Sequence, residues 1–183
     1  MIRLASYSAL LCLDIKKAFD TVNHDKLIDI LISINFPISL IMLISNYLTG
    51  RSQIVQFKNN TSAPLPVLSG IPQGSVLGPV LFSIYINSLI PSRPHIPYIK
   101  FADDTTFIIP IPLNANINDI ILEEIKHVDS WCSSFSMELN KSKTQVLLIS
   151  NRKANKTPIF INDIDISFNQ VTVLGFTITT NLS

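Results

Sequence analysis

Ile99-Lys100-Phe101-Ala102-Asp103-Asp104-Thr105-Thr106-Phe107-Ile108-Ile109 is an apolar, strand-like run that breaks at two adjacent acids and then resumes. Neighbouring carboxylates repel, so a pair set between two apolar strands is either fully solvated or aimed at a cation. Asp-Asp also suits tight-turn geometry on its own account. The stretch therefore predicts a hairpin tip at Asp103 and Asp104, and leaves the metal to be decided by the rest of the chain.

On the N-terminal side, residues 7–14 are uncharged and apolar until Asp14, the pattern of a strand buried on both faces. Asn23 is placed to cap a helix running to about Asn35, and a second helix from about Ser39 ends at Gly50. Between Ile30 and Gly50 no residue is charged, which is long enough for a membrane span. Pro37 interrupts it, and apolar positions recur at helical spacing on either side (Leu27, Ile30, Leu31, Ile34; then Ile41, Ile44, Leu48), so two short helices on a core are expected. Residues 52–57 and 63–68 flank Asn59-Asn60 as a hairpin. The loop Ser69-Gly70-Ile71-Pro72-Gln73-Gly74-Ser75 leads to Pro79, at the first turn of an uncharged helix reaching about Leu89. That helix belongs deep in the core or under a ligand.

Beyond the acids, a helix is expected from about Asn116 to Phe135, with Asp119, Glu123 and Glu124 early and Lys126 and His127 later. Three β-like segments follow, Gln145 to Ser150, Pro158 to Asn162 and Val171 to Thr179. The order β, α, β-hairpin, α, β gives an α+β fold: a split βαβ (ferredoxin-like) antiparallel sheet with helices packed on one face, plus a C-terminal β-hairpin.

With 183 residues, 47% of them hydrophobic and 15% charged, the chain is globular and large enough for a core. A formal net charge of +1 gives no overall basic signature, so nucleic-acid binding has to come from a local patch. Five of the fourteen basic residues, Lys141, Lys143, Arg152, Lys153 and Lys156, fall close together, either as a phosphate-facing patch or as a solvated loop. Cys12 and Cys132 read as buried reduced thiols of an intracellular protein, and neither makes zinc spacing with His24, His95 or His127. No Ser/His or Cys/His pair offers a nucleophile, no Gly-x4-Gly-Lys loop cradles phosphates, and the N-terminal stretch lacks a signal-peptide cleavage site.

In a split βαβ sheet the strand ending at Asp14 and the hairpin bearing Asp103 and Asp104 can be adjacent central strands. Three carboxylates then meet at one edge. Oxygen ligands in that number suit Mg²⁺, and two such ions about 4 Å apart activate a hydroxyl and stabilise a leaving oxygen in phosphoryl transfer.

Five strings carry a family resemblance. Leu13-Asp14-Ile15-Lys16-Lys17-Ala18-Phe19-Asp20-Thr21-Val22-Asn23-His24 resembles the first palm motif of reverse transcriptases, Ser69 to Pro79 the second and Phe101-Ala102-Asp103-Asp104 the third. Leu139-Asn140-Lys141-Ser142-Lys143-Thr144 looks like the fourth and Val173-Leu174-Gly175-Phe176 the fifth. The wording is closest to non-LTR, jockey-like retrotransposons. The resemblance implies an RNA-directed DNA polymerase palm that joins deoxynucleotides to a DNA primer 3′-OH on an RNA template, using two Mg²⁺ ions (or Mn²⁺). It implies Asp14 and Asp103 as ligands of both metals, Asp104 as their support, and the Ile15 carbonyl as a further ligand. Asp20 is expected to orient its loop or cap the next helix. Phe19 matches the aromatic gate that excludes a ribose 2′-OH, with core packing as its alternative. Gln73 and Gly74 resemble the nucleotide-binding floor, or else form a helix-entry turn. Lys143 resembles the basic residue near the triphosphate, or is a surface lysine. Leu174, Gly175 and Phe176 resemble the primer grip.

The expectation for the whole is a palm spanning residues 1–183, with its core at about 7–150 and a primer-grip-like hairpin in 151–183. Fingers and thumb are missing from this stretch, which implies a larger polyprotein. The resemblance places it in a ribonucleoprotein of cytoplasm and nucleus, away from membranes. The alternative is a catalytically silent retrotransposon remnant that folds or binds nucleic acid without chemistry.

Overall fold

The computed structural model describes residues 7–112, 115–150, 159–161 and 164–180. Two compact units divide the chain: residues 1–16 with 89–183, and residues 17–88.

The first unit is built on a five-stranded sheet. Its first strand, β1 (Tyr7–Leu13), is followed in the second unit by α1 (His24–Ser33), α2 (Ile38–Leu48), the short strands β2 (Ser52–Gln53), β3 (Gln56–Phe57), β4 (Asn60–Thr61) and β5 (Leu65–Pro66), and α3 (Gly78–Ile86). The chain re-enters the first unit for β6 (Tyr98–Phe101), β7 (Asp104–Ile111), α4 (Ile117–Ser134), β8 (Gln145–Ser150), β9 (Phe160–Ile161), β10 (Ile164–Asp165), β11 (Ser167–Phe168), β12 (Gln170–Val173) and β13 (Phe176–Thr179). The sheet order β11-β8-β1-β7-β6 places β1 between β7 and β8, antiparallel to both. The four principal strands therefore interleave as a split βαβ unit, as the element order predicts. Only the added edge strand β11 runs parallel to its neighbour β8.

Burial on both faces explains the uncharged β1. Ala9, Leu11 and Leu13 are buried on one face; on the other, Leu10 forms a cluster with Leu147 and Val171, against which Cys12, Ile108, Ile149, Val173 and Ile178 pack. The C-terminal hairpin β12–β13 is thereby fixed to the sheet face that carries Cys12. Its two-residue loop, Leu174 (φ 51°) and Gly175 (φ 80°), has both residues in the left-handed region that a tight hairpin requires. Helix α4 starts at Asn116, whose side chain accepts from Asn118 N–H, and buries Ile121, Ile125, Val128 and Cys132 at helical spacing.

In the second unit, Asn23 caps α1 by accepting from Lys26 N–H, as its position predicts. The Ile30 to Gly50 stretch breaks at Asn35 (φ 55°) and Pro37 into α1 and α2, and among the described residues no helix is long and apolar enough to cross a membrane. Three boundaries differ from expectation. The hairpin turns at Lys58-Asn59, with Lys58 at φ 53°, while Asn60 is paired in β4. Helix α3 ends at Ile86 rather than Leu89; it buries Leu81, Phe82, Tyr85 and Ile86 but leaves Val80 56% exposed, so one face only is core. The strand expected over Pro158 to Asn162 is confined to Phe160–Ile161 within the described residues. Cys132 is buried as expected, whereas Cys12 is only half-buried, on the face of β1 opposite the buried Leu11 and Leu13.

Candidate active site

The β1–β7 register runs from Tyr7 opposite Ile111 to Leu13 opposite Thr105. One residue further, Asp14 leaves β1 beside Asp104, the first residue of β7. Pairing of Phe101 with Asp104 makes Ala102 and Asp103 the two-residue tip between β6 and β7, one residue earlier than the Asp103-Asp104 tip expected, because Asp104 is taken into the β7 ladder. Ala102 sits at φ 52°, a left-handed conformation that costs an L-residue about 1 kcal/mol, so strain is held at the tip next to the acids. Strand alternation puts Asp14 and Asp104 on one face with Cys12 and Thr106, whose Oγ1 donates to Cys12 Sγ at 3.7 Å. Lys100 pairs with Thr105 on the opposite face, where burial lowers its ammonium to about 8.

Burial raises the Asp104 carboxyl above its ordinary value, and the charges of Asp103 and Asp14 push it in the same direction. Three carboxylates at one strand end, two of whose charges bear on the third, have the chemistry a hard divalent cation takes. They are neighbours by register rather than a closed shell: among the described residues no group of three or more His, Cys, Asp or Glu side chains is gathered to hold a metal ion. The repulsion has a consequence for stability. A carboxyl whose folded-state pKa lies above its unfolded value of 3.8 adds no penalty below that value, and its penalty grows with pH until it is complete above the folded pKa. In metal-free buffer at pH 7, Asp104→Asn is therefore expected to raise the melting temperature by the equivalent of less than about 1 kcal/mol, since the group is largely exposed. The gain should vanish below pH 3.8; thermal melts across that range measure both.

Beyond Asp14 the chain forms an isolated antiparallel bridge, Ile15 with Leu139. Its two hydrogen bonds use flanking groups, Asn140 N–H to the Asp14 carbonyl at 2.7 Å and Lys16 N–H to the Glu138 carbonyl at 2.9 Å. The Ile15 carbonyl takes no part in either. Lys16 and Glu138 also pair through their side chains.

The second unit carries Phe19, Gln73 and Gly74. Phe19 is half-buried and stacks on the buried Phe82 ring, centroids 4.3 Å apart. Its loop is tied to the Ser69–Ser75 segment by Gly70 N–H to the Val22 carbonyl (2.8 Å), Ile71 N–H to the Phe19 carbonyl (2.9 Å) and Ser69 Oγ to the Asp20 carbonyl (3.0 Å). Gln73 Nε2 donates to Asp20 Oδ1 at 2.9 Å, so Asp20 orients this loop while Asn23 does the capping. Gly70 adopts φ +85°, and a Cβ there would lie 2.8 Å from the Asp20 carbonyl oxygen; Gly74 needs its φ of +79° but has nothing within 4 Å. Two supports were not predicted from the sequence, because neither belongs to a recognisable spacing. His24 Nε2 and Arg51 Nη2 both reach the Gly70 carbonyl, at 2.8 and 3.0 Å, and Arg51 Nε also donates to the Leu48 carbonyl at the end of α2. Lys17, Asp20, Arg51 and Gln73 help line a polar cleft of about 820 Å³ within this unit.

Of the lysines in the fourth motif, Lys141 pairs with Asp129 Oδ2 at 3.0 Å, whereas Lys143 is exposed and forms no ion pair among the described residues. Arg152, Lys153 and Lys156 lie outside the described residues. Leu174, Gly175 and Phe176 form the turn and first paired position of the β12–β13 hairpin, with Phe176 75% exposed.

A split βαβ sheet with carboxylates where β1 ends and where β6 turns into β7 is the palm fold of a template-directed polymerase. Residues 1–178 match the family described as reverse transcriptase (RNA-dependent DNA polymerase), and the chain belongs to that family. It is 29% identical over 166 residues to the probable RNA-directed DNA polymerase from transposon X-element of Drosophila melanogaster, covering 87% of this chain and 18% of that protein. To the corresponding protein of transposon BS it is 30% identical over 139 residues (72% and 15% covered), and to that of mobile element jockey 26% over 157 residues (82% and 17%), both from the same organism. These relatives are non-LTR retrotransposon polymerases, as the motifs imply. The chain spans less than a fifth of their length. Among solved structures, apo telomerase from Candida tropicalis truncated from its C-terminal domain has the same fold, with a TM-score of 0.64 at 16% identity, covering 95% of this chain and 34% of that one. Reverse transcriptases generally use divalent metal ions.

Proposed function

We propose that this chain is the palm of a longer RNA-directed DNA polymerase, extending a DNA primer on an RNA template with deoxynucleoside triphosphates. The observation that carries the reading is the strand register, which sets Asp14 beside Asp104 at the Asp103-bearing tip, where the charges of Asp103 and Asp14 both act on the Asp104 carboxyl. Asp14 and Asp103 would hold two Mg²⁺ ions, with Asp104 supporting them and the Ile15 carbonyl, outside the hydrogen bonds of its bridge, free to be a further ligand. Bound there, divalent ions would supply activation of the primer 3′-hydroxyl and stabilisation of the departing pyrophosphate oxygen.

The remaining roles belong to the chain's own side chains. Gln73, oriented by Asp20, and Gly74, which has open space where a side chain would stand, form a floor for the incoming nucleotide. Phe19, braced by Phe82, presents a flat ring that excludes a 2′-hydroxyl. Lys143 delivers a proton or positive charge to the triphosphate, and Lys141, Arg152, Lys153 and Lys156 follow the nucleic-acid backbone. Leu174, Gly175 and Phe176 steady the primer end. The fingers and thumb are supplied by the rest of a larger polyprotein, which acts in a ribonucleoprotein.

The test replaces the matching segment of a complete jockey-type polymerase with residues 1–178. The chimaera is expected to extend a DNA primer on an RNA template with Mg²⁺ and to stop when the metal is chelated. A folded chimaera that makes no product would overturn the polymerase reading in favour of a catalytically silent remnant.

A further inference from the structure

We infer that Asn140 and Thr144 are positioning residues that set Lys143 from the same backbone that carries Asp14. The inference rests on the polymerase reading of Lys143 given above, and its geometry lies wholly within the first unit.

Asn140 faces two ways. Its N–H donates to the Asp14 carbonyl at 2.7 Å, directly after Leu139, which is 1% exposed, has bridged to Ile15. Its carbonyl accepts from Lys143 N–H at 3.1 Å, Thr144 N–H at 2.9 Å and Thr144 Oγ1 at 2.9 Å. Its side-chain Oδ1 accepts from Ser142 Oγ at 2.8 Å, so the three residues between Asn140 and Thr144 are closed into one tight turn around Asn140. Thr144 is fully buried, and β8 follows immediately. A buried hydroxyl without its acceptor carries a desolvation penalty, which gives this turn a defined closing contact.

The turn also separates the motif's two lysines. Lys141 is held by Asp129, while Lys143 is exposed with no ion pair among the described residues. A long, flexible ammonium side chain acts on a reacting group only if its backbone root is fixed. Here that root is fixed to Asp14, so a ligand of the metals and the proton-bearing group share one frame through Asn140.

The experiment uses the chimaera with Thr144→Val, which keeps the shape and loses the hydroxyl, and Thr144→Ser, which keeps the hydroxyl. Single-turnover incorporation is measured at saturating nucleotide, alone and combined with Lys143→Met. Thr144→Val is expected to lower the rate roughly three- to tenfold, the scale of one hydrogen bond, with apparent nucleotide affinity unchanged. Thr144→Ser should restore most of the rate. In the Lys143→Met background, Thr144→Val should add nothing, because the lysine it positions is gone. An equal loss in both backgrounds, a Thr144→Ser variant as slow as Thr144→Val, or a Lys143→Met variant as fast as the parent would each overturn the inference. If the parent chimaera is inactive, the polymerase reading fails instead. Amide exchange on the 183-residue chain then decides the Asn140–Thr144 positioning turn: faster exchange at Lys143 and Thr144 in Thr144→Val supports it, and unchanged exchange overturns it.

Discussion

Replacing Asp103 by Asn in the chimaera lowers single-nucleotide incorporation by about a thousandfold or more, equivalent to roughly 4 kcal/mol of transition-state stabilisation. The substitution is nearly isosteric. Asp103 is exposed at the hairpin tip, so the fold and melting temperature should stay close to those of the parent. What it removes is one of the negative charges clustered at the strand end, and with it an oxygen donor proposed for both ions. Rapid-quench measurement at saturating nucleotide and primer–template reads the effect directly. Asp20→Asn is the informative comparison. It weakens the acceptor of Gln73 without touching the first unit's acids, so a loss much smaller than that of Asp103→Asn is expected.

The second large effect concerns stability. Gly70→Ala places a methyl group 2.8 Å from the Asp20 carbonyl oxygen and 2.9 Å from its Cα, and both obstacles are backbone. The conformation itself, φ +85°, adds a left-handed penalty of about 1 kcal/mol. Relief requires the loop to move off Asp20, which breaks the Gly70 N–H bond to Val22 and strains the Ile71 bond to Phe19. A loss of about 2–4 kcal/mol is expected, the range of overpacking combined with backbone strain. Gly74→Ala meets the same left-handed penalty at φ +79° but open space, and should cost only about 1 kcal/mol. Urea denaturation of both variants separates the steric contribution from the conformational one.

Much of the sheet was legible because its residues obey local rules. The uncharged run ending at Asp14 reads as a doubly buried strand, and β1 is one; Asn23 reads as a helix cap, and its side chain accepts the hydrogen bond that role requires. The acid pair breaking an apolar run marks a turn, and β6 and β7 meet one residue earlier than the acids alone suggest, because Asp104 already pairs with Phe101. What stayed hidden depends on partners distant in sequence. Nothing in Ala102 announces φ 52°, because the pairing of Phe101 with Asp104 across the tip imposes it. Likewise, the convergence of His24 and Arg51 on the Gly70 carbonyl joins three points that no periodicity connects. The motif strings carry the family, but the division of labour between Lys141 and Lys143 needs Asp129 to be placed beside one of them.

The metal role of the three acids is the centre of this account, and counting ions tests it without waiting for turnover. Mn²⁺ bound by the chimaera with primer–template and a non-hydrolysable deoxynucleotide can be titrated by electron paramagnetic resonance. The account predicts saturable binding that is lost or strongly weakened in Asp14→Asn and Asp103→Asn and retained in Asp20→Asn. Equal Mn²⁺ binding by the parent and Asp14→Asn or Asp103→Asn chimaeras would contradict it.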